Sequence, residues 1–254
     1  MSTLSSLFPD SRYNITSPGG GTFTQLYVYN TNVNSVTNGG QCCLWTVPAG
    51  VVWAKFEVWG GGGSGGGSCC CQDMARGGGA GAYARKTIRV VPGQTYTICA
   101  GSSGCCNTAC CGQCGFPSYA CNASATYPLC LCAAGGPGGI SQCFWGTNGC
   151  CSCPTCWACS GSYCGQDFGL CAVSGSAHEG SGCYFDAWGY VPQAPYLGGG
   201  VRVSRTYCGE FYMGCDGVGA STFPGGGGGG AHAHGGPCCW GGWGAGGLVL
   251  ITYR

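Results

Sequence analysis

Runs of glycine are the feature that most limits what this chain can fold into. Glycine accounts for 55 of the 254 residues, about three times its usual share of ~7%. It brings no side chain to a core and loses the most backbone entropy on folding, so the runs need stabilisation from another source. The glycine-rich runs lie at residues 60–67, 77–81, 135–139, 198–200, 225–230 and 241–247.

Two interpretations of these runs are open. Gly/Ser tracts are usually flexible linkers. Alternatively, they adopt the extended left-handed polyproline-II geometry, which has no internal hydrogen bonds, and neighbouring segments pair their N–H and C=O groups. The interleaving of the runs with strands and cysteines favours packed polyglycine-II helices. A collagen triple helix is excluded because glycine does not recur at every third residue.

Cysteine is the second unusual feature, with 27 residues. Three C-x-x-C units begin at Cys111, Cys153 and Cys156. Such units hold zinc or an iron–sulfur cluster where two converge, or act in thiol redox chemistry. Adjacent cysteine pairs fit neither use and favour a dense set of structural disulfides. We expect most cysteines in residues 99–239 to be oxidised, and an odd total leaves at least one cysteine free or paired between chains. The disulfide candidates are Cys105, Cys106, Cys110, Cys111, Cys114, Cys150, Cys151, Cys153, Cys156, Cys159, Cys238 and Cys239.

Charge and motif content exclude several functional classes. Only 7% of the residues are charged and the net charge is +1, so no basic surface for nucleic acid is expected. The chain has no G-x-S-x-G motif, and residues 60–67 lack the Lys-Ser/Thr of a phosphate-binding loop. We therefore expect no enzyme activity and no cofactor. No run of 18 apolar residues occurs, so no membrane insertion is expected.

Alternating side chains predict strands at residues 22–29, 51–59, 82–91, 94–99 and 248–253. In the second of these, one apolar face is expected in the core and consists of Val52, Ala54, Phe56 and Val58. Pro92-Gly93 predicts a tight turn that joins residues 82–91 and 94–99 as a hairpin. The strand at 248–253 is expected to pair with 51–59. The predicted fold is an all-β sandwich, jelly-roll or TNF-like, with a polyglycine-II and disulfide-rich insertion at about residues 101–246.

Residues 1–41 differ from the rest because they contain no cysteine. We interpret them as an N-terminal attachment arm, followed by a glycine-rich sandwich at 42–254. The alternative is that they form the first hairpin of that sandwich. The first ten residues have neither a basic segment nor a continuous apolar segment, so a signal peptide is not expected.

The order of motifs resembles a known family. The series consists of Trp45-Thr-Val-Pro-Ala-Gly-Val51, Phe56-Glu-Val-Trp-Gly-Gly-Gly-Gly63, Gly77-Gly-Gly-Ala-Gly-Ala-Tyr83 and Val91-Pro-Gly-Gln-Thr-Tyr-Thr-Ile98. It resembles the glycine-rich domain of bacteriophage tail and virion structural proteins over residues 45–101 and 225–254. A similar order occurs in the extracellular glycine-rich domains of some animal receptor kinases. The resemblance implies a virion context without catalytic residues, and phage fibres imply a trimer.

The same resemblance suggests a metal site. In phage spikes and fibres, three H-x-H units around a trimer axis can hold an iron ion, and His232 and His234 form such a unit here. The alternative is that both are exposed loop residues. Aromatic side chains are favoured at recognition surfaces and stack on sugar rings, although they can also pack over glycine as a substitute core. The receptor-binding candidates are Tyr184, Phe185, Trp188, Tyr190, Tyr196, Trp240 and Trp243.

These observations give one leading functional hypothesis. We expect a surface-exposed structural protein of a bacteriophage virion: a tail-fibre, tail-tip or baseplate adhesin, or a capsid decoration or fibre protein. Its partners would be other virion proteins, bound through residues 1–41, and a glycan or protein of the host surface. Release by lysis would explain many disulfides without a secretion signal. The alternatives are an extracellular carbohydrate-binding or matrix module of a cell, and a cysteine-rich metal-binding protein.

Overall fold

The described part of the chain is built of antiparallel β-strands. The structure, a computed structural model, describes residues 15–16, 22–29, 40–67, 73–75, 77–104, 112–139, 141–143, 163–164, 167–170, 186–190, 203–207, 214–215, 223–228, 232–233 and 240–254. Every regular element in these ranges is a strand, which confirms the all-β prediction. No helix within them is long and apolar enough to cross a membrane.

The first large sheet has six strands. Their order across the sheet is β1 (Ile15–Thr16), β2 (Thr22–Tyr29), β17 (Leu248–Tyr253), β4 (Trp53–Trp59), β6 (Tyr83–Arg89) and β12 (Phe168–Leu170). Strand β17 pairs with β4 along its whole length, from Leu248 opposite Trp59 to Tyr253 opposite Ala54. The predicted pairing of 248–253 with 51–59 is therefore confirmed. On its other side β17 pairs with β2, so residues 22–29 lie within this sheet.

The second large sheet has five strands. Their order is β11 (Tyr163–Cys164), β9 (Leu129–Ala133), β8 (Ser118–Asn122), β7 (Thr95–Gly101) and β3 (Gly40–Thr46). A four-stranded sheet contains β10 (Ser141–Cys143), β5 (Asp73–Ala75), β16 (His232–Ala233) and β15 (Gly214–Cys215), and a separate pair contains β13 (Asp186–Tyr190) and β14 (Val203–Tyr207). The strand order does not confirm a jelly-roll or TNF-like connectivity.

One hydrophobic core fills the space between the two large sheets. Its buried side chains from the first sheet are Ala54, Phe56, Val58, Ala84, Ile88, Val249 and Ile251, and those from the second are Trp45, Tyr96, Ile98, Ala120, Leu129, Leu131 and Ala133. Phe56 meets the rings of Trp45 and Tyr96 with centroid distances of 5.6 and 5.4 Å. These contacts join the two sheets, because Phe56 belongs to the first and Trp45 and Tyr96 to the second. Aromatic pairs of this kind add to the stabilisation that burial provides.

Two details of the strand predictions are wrong. Val52 was expected in the core but is exposed, because a turn at Gly50 (φ +81°) precedes the strand, which begins only at Trp53. The predicted hairpin also does not form. Gln94 N–H bonds back to Val91 around Gly93 (φ +83°), as a tight turn requires, but the turn leads from one sheet to the other. Strand β6 pairs with β4 and β12, whereas β7 pairs with β3 and β8.

The glycine-rich runs form a bundle that continues the strands. Residues 60–65, which we call the central segment, follow β4 directly and are fully buried. The N–H of Gly60 donates to the carbonyl of Ala82 at 2.9 Å, and three residues later Gly63 donates to Gly79 at 2.9 Å. The same three-residue step recurs toward two other neighbours. A period of three without internal hydrogen bonds is the geometry of polyglycine II, so we assign the segments to it.

Six further segments surround the central segment and hydrogen-bond to it. Its N–H groups donate to residues 77–82, 112–116 and 240–247, which run antiparallel to it. Its carbonyls accept from residues 101–104, 134–139 and 223–228, which run parallel. Neighbouring outer segments also bond to each other, and the order around the ring is 77–82, 223–228, 240–247, 101–104, 112–116 and 134–139. The seven segments therefore pack as a hexagon with an occupied centre.

The bundle extends beyond the predicted insertion at about residues 101–246. The central segment and residues 77–82 lie outside that range, and they join β4 to β6. Residues 101–104 and 112–116 join β7 to β8, residues 134–139 follow β9, and residues 240–247 lead into β17. The bundle is therefore an extension of both sheets, closed by residues 223–228.

The close packing of the bundle predicts that a single methyl group at its centre is not tolerated. A Cβ at Gly62 would lie 1.9 Å from the carbonyl oxygen of Gly226 and 2.5 Å from its carbon. We expect Gly62→Ala to reduce the free energy of unfolding by more than about 3 kcal/mol in urea denaturation, because rigid backbone surrounds the site. Ala245→Ser is the matched control: its carbonyl accepts from Gly62 but the residue is partly exposed, so a loss under about 1 kcal/mol is expected. Equal stability of the two variants would contradict the packing described.

Candidate functional site

Cysteines gather on one face of the five-stranded sheet. Because side chains alternate along a strand, the face opposite the core carries two rows of directly facing residues. One row contains Cys42, Cys99, Tyr119 and Cys132, and the adjacent row contains Leu44, Thr97, Cys121 and Cys130. We call this surface the cysteine face. Cys164 occupies the next register position beyond Cys132.

A disulfide joins two strands on this face. Cys42 of β3 and Cys99 of β7 face each other with Cα atoms 4.0 Å apart and are bridged. The hydroxyl of Tyr119 lies 3.9 Å from the Cys42 sulfur. Neither cysteine is among the disulfide candidates named from the sequence, although Cys99 lies at the edge of the range 99–239 in which most cysteines are expected to be oxidised. Both lie in strands, but their pairing depends on the register of β3 against β7, which spacing along the chain does not reveal.

A second pair of cysteines faces across β8 and β9 but is not bridged. Cys121 lies opposite Cys130, and both thiols are free; Cys121 is partly buried and Cys130 is exposed. Desolvation, together with the charge and hydrogen bond of the neighbouring Cys130 thiol, raises the pKa of Cys121 above the ordinary thiol value. A hydrogen bond from the backbone of Ala123 opposes this increase in part. The reactivity of Cys121 is therefore lowered near neutral pH, since the thiolate is the reactive form.

The loop between β8 and β9 holds these two cysteines in register. The carboxamide oxygen of Asn122 accepts from the backbone N–H of Ser124 at 2.9 Å, which is an Asx turn. The side-chain amide of Asn122 donates to the carbonyl of Thr95 at 2.6 Å, and that of Gln94 donates to Thr126 at 3.0 Å. The loop is thus tied to β7 as well as to its own strands.

Two tryptophans project from the glycine bundle. Within residues 240–247, Gly241 and Gly244 have Cα atoms against the central segment, since added Cβ atoms would lie 2.0 and 2.2 Å from its carbonyl oxygens. Trp240 and Trp243 occupy another side of the same three-residue turn and are 46% and 41% exposed. With a rise of 3.1 Å per residue, their Cα atoms are about 9 Å apart along the segment. This pair is an exposed aromatic surface on a rigid support.

A buried carboxylate lies on the outer face of the first sheet. Glu57 is 5% exposed and accepts a hydrogen bond from the Tyr83 hydroxyl at 2.7 Å. Its other oxygen pairs with the Lys55 ammonium at 2.6 Å. Trp59, Tyr83 and Leu248 form a small second hydrophobic cluster beside it. Because both of its oxygens are paired, we interpret Glu57 as structural.

The structure places some of the other sequence-derived candidates. Cys114 is an exposed free thiol. His232 stands opposite Met74 and Cys215 in the four-stranded sheet, and Trp188 and Tyr190 lie in β13. In the described ranges, no three His, Cys, Asp or Glu residues are grouped to hold a metal ion. The candidates outside the described residues are Cys105, Cys106, Cys110, Cys111, Cys150, Cys151, Cys153, Cys156, Cys159, Cys238, Cys239, His234, Tyr184, Phe185 and Tyr196.

The raised pKa of Cys121 predicts a shifted pH profile for its alkylation. At any pH below the shifted value a smaller fraction is thiolate, so the rate with iodoacetamide should reach half its plateau at a higher pH than for an ordinary cysteine of pKa ~8.5. The unfolded chain in guanidinium is the control, since it keeps the residue and removes its surroundings. Cys130→Ser should move the profile part of the way back. Identical profiles for folded and unfolded protein would contradict the assigned environment.

Comparison with known proteins identifies a family for most of the chain. A family model for the glycine-rich domain matches residues 36–254. The comparison with curated proteins finds no match. The matched range includes both sheets except β1 and β2, and all seven segments of the bundle. The chain therefore belongs to the glycine-rich domain family.

Proposed function

We propose that this chain is a structural, non-catalytic protein on the outer surface of a bacteriophage particle. It acts as a tail-fibre, tail-tip or baseplate adhesin, or as a capsid decoration or fibre protein. The observation that carries the proposal is the seven-segment bundle. Its interior is hydrogen-bonded backbone with almost no side chains, so the bundle provides a rigid body whose interior holds no titratable group for chemistry.

Two further observations support an exterior location. The Cys42–Cys99 disulfide fits an oxidising environment, such as that met by a particle after lysis. The same bridge argues against the alternative of a thiolate metal store, whose ligands must be reduced. The inference that the particle is a bacteriophage rests on the resemblance of residues 45–101 and 225–254 to phage virion proteins.

The Trp240–Trp243 pair supports recognition of a glycan on the host surface. Exposed aromatic rings offer flat apolar faces for sugar rings, and aromatic anchors dominate the energetics of many interfaces. The pair favours equally the second candidate, a carbohydrate-binding module of a cell. The two differ in where the protein is found. Antibody labelling of intact particles should place the protein on their surface, and its absence from purified particles would exclude the virion proposal.

Glycan recognition is tested with tryptophans at opposite ends of the structure. We expect the wild-type protein to bind at least one member of an array of bacterial surface glycans. Trp240→Ala with Trp243→Ala should weaken that binding more than about tenfold, as loss of an aromatic hot spot does. Trp53→Ala is the control, because Trp53 is also 41% exposed but lies at the far end of β4 from the bundle. Equal binding by the double variant and the wild type would contradict the assignment.

We also propose that the protein is a trimer mounted through residues 1–41, and that its sandwich is related to jelly-roll or TNF-like folds. Deletion of residues 1–41 is a poor test, because it removes β2, which pairs with β17. Removal of residues 1–14 keeps every described strand of the sheet. Light scattering should give the mass of a trimer for the full chain, and the shortened chain should fold but not join particles. A monomeric full chain, or normal incorporation of the shortened one, would contradict the corresponding half of the prediction.

A further inference from the structure

We propose that Cys121 and Cys130 are a site of reversible oxidation: they form a second cross-strand disulfide when the protein meets a small-molecule disulfide such as oxidised glutathione. The bridge would lie on the cysteine face, beside the one that joins Cys42 and Cys99. This proposal does not depend on the proposed function, since a small-molecule disulfide in any oxidising medium could act as the oxidant.

The backbone geometry suits a bridge without rearrangement. Cys121 and Cys130 are directly opposed in an antiparallel pair, where Cα atoms lie about 4.5 or 5.5 Å apart. Both spacings fall within the 4.4–6.8 Å range usual for disulfides. The influence of Cys130 on the pKa of Cys121 agrees with this close placement. Cys42 and Cys99 hold the same relation one row away and are bridged.

The surroundings of the pair keep the two cysteines opposed and determine which of them reacts first. The hydrogen bonds of Asn122 and Gln94 fix the loop between the two strands, so the cysteines stay opposed in the folded protein. Cys130 is exposed and therefore open to a small oxidant, whereas Cys121 is partly buried beside it. This difference in exposure assigns the order of reaction.

The reaction is a two-step thiol–disulfide exchange. The Cys130 thiolate attacks one sulfur of the oxidant, forms a mixed disulfide and releases one thiolate. The Cys121 thiol then loses its proton to solvent, and its sulfur attacks the Cys130 sulfur. This step forms the Cys121–Cys130 bond and expels the second oxidant thiolate. The two protein thiols lose two electrons in total, and the small-molecule disulfide gains them.

The test uses the full chain, reduced under native conditions and then treated with excess oxidised glutathione. After acid quenching, free thiols are alkylated and the protein is digested with pepsin, which acts at low pH and limits exchange. Peptide mass spectrometry should find residues 121 and 130 in one linked species without glutathione. The melting temperature should rise by several degrees on oxidation, because the bridge restricts the unfolded chain.

Three variants give outcomes that differ for a bridge and for independent thiols. Cys121→Ser removes the second thiol, so Cys130 should retain glutathione and the rise in melting temperature should be smaller than in the wild type, because only the Cys42–Cys99 bridge then re-forms. Cys130→Ser should reduce the rise in melting temperature to the same extent. Cys114→Ser alters an exposed free thiol in the bundle and should behave as the wild type in both measurements. A wild-type protein with glutathione on Cys130 and an alkylated Cys121, or with either residue linked to another cysteine, would overturn the proposal.

Discussion

The structure depends on the absence of Cβ atoms along the central segment. At Gly60, Gly61 and Gly62 an added Cβ would lie about 2 Å from a carbonyl oxygen of a surrounding segment. A carbon atom cannot lie so close to a non-bonded oxygen, so each of these positions needs the hydrogen atom that glycine has in place of Cβ. Because the backbones approach this closely, each N–H of the segment reaches a carbonyl of a neighbour at 2.8–3.0 Å, and buried peptide groups remain paired. The hydrogen-bond network thus replaces the side-chain packing that glycine cannot provide.

Ser64 shows how strict this constraint is. It is the one residue of the central segment with a side chain, and it is fully buried. Its hydroxyl accepts a hydrogen bond from the backbone N–H of Gln113 at 2.8 Å, while its own N–H donates to the carbonyl of Gln113 at 3.0 Å. The side chain is accommodated because its oxygen acts as the acceptor that the neighbouring segment needs.

Sequence patterns were sufficient where side chains carry the information. The alternation in β4 identified Ala54, Phe56 and Val58 as core residues, and the apolar run at 248–253 identified the partner of that strand. They were insufficient for the choice of partners elsewhere. Pro92-Gly93 specifies a tight turn but not whether the next strand returns to the same sheet. Here the next strand joins the second sheet, where Tyr96 and Ile98 pack into the core between the two sheets. The order of segments around the bundle was not predictable, because glycine residues are identical at every register.

The cysteine face was hidden for a related reason. Cys121 and Cys130 become neighbours only through the pairing of β8 with β9, and Cys42 meets Cys99 across 57 positions of sequence. Adjacent cysteines in the sequence predicted a dense set of disulfides, yet the bridge that the structure describes joins cysteines in two different strands. Spacing along a chain is informative for disulfides within one turn or loop, whereas register governs those across a sheet.

The closed ring around residues 60–65 also sets the order in which the protein can fold. The central segment receives partners from residues 77–82 and from residues as distant as 240–247. Until these late segments arrive, the peptide groups without a partner can bond only to water, and residues 60–65 have no apolar side chains to drive collapse. Folding of a ribosome-bound chain must therefore wait for the C-terminal third. The high contact order of this arrangement predicts slow folding.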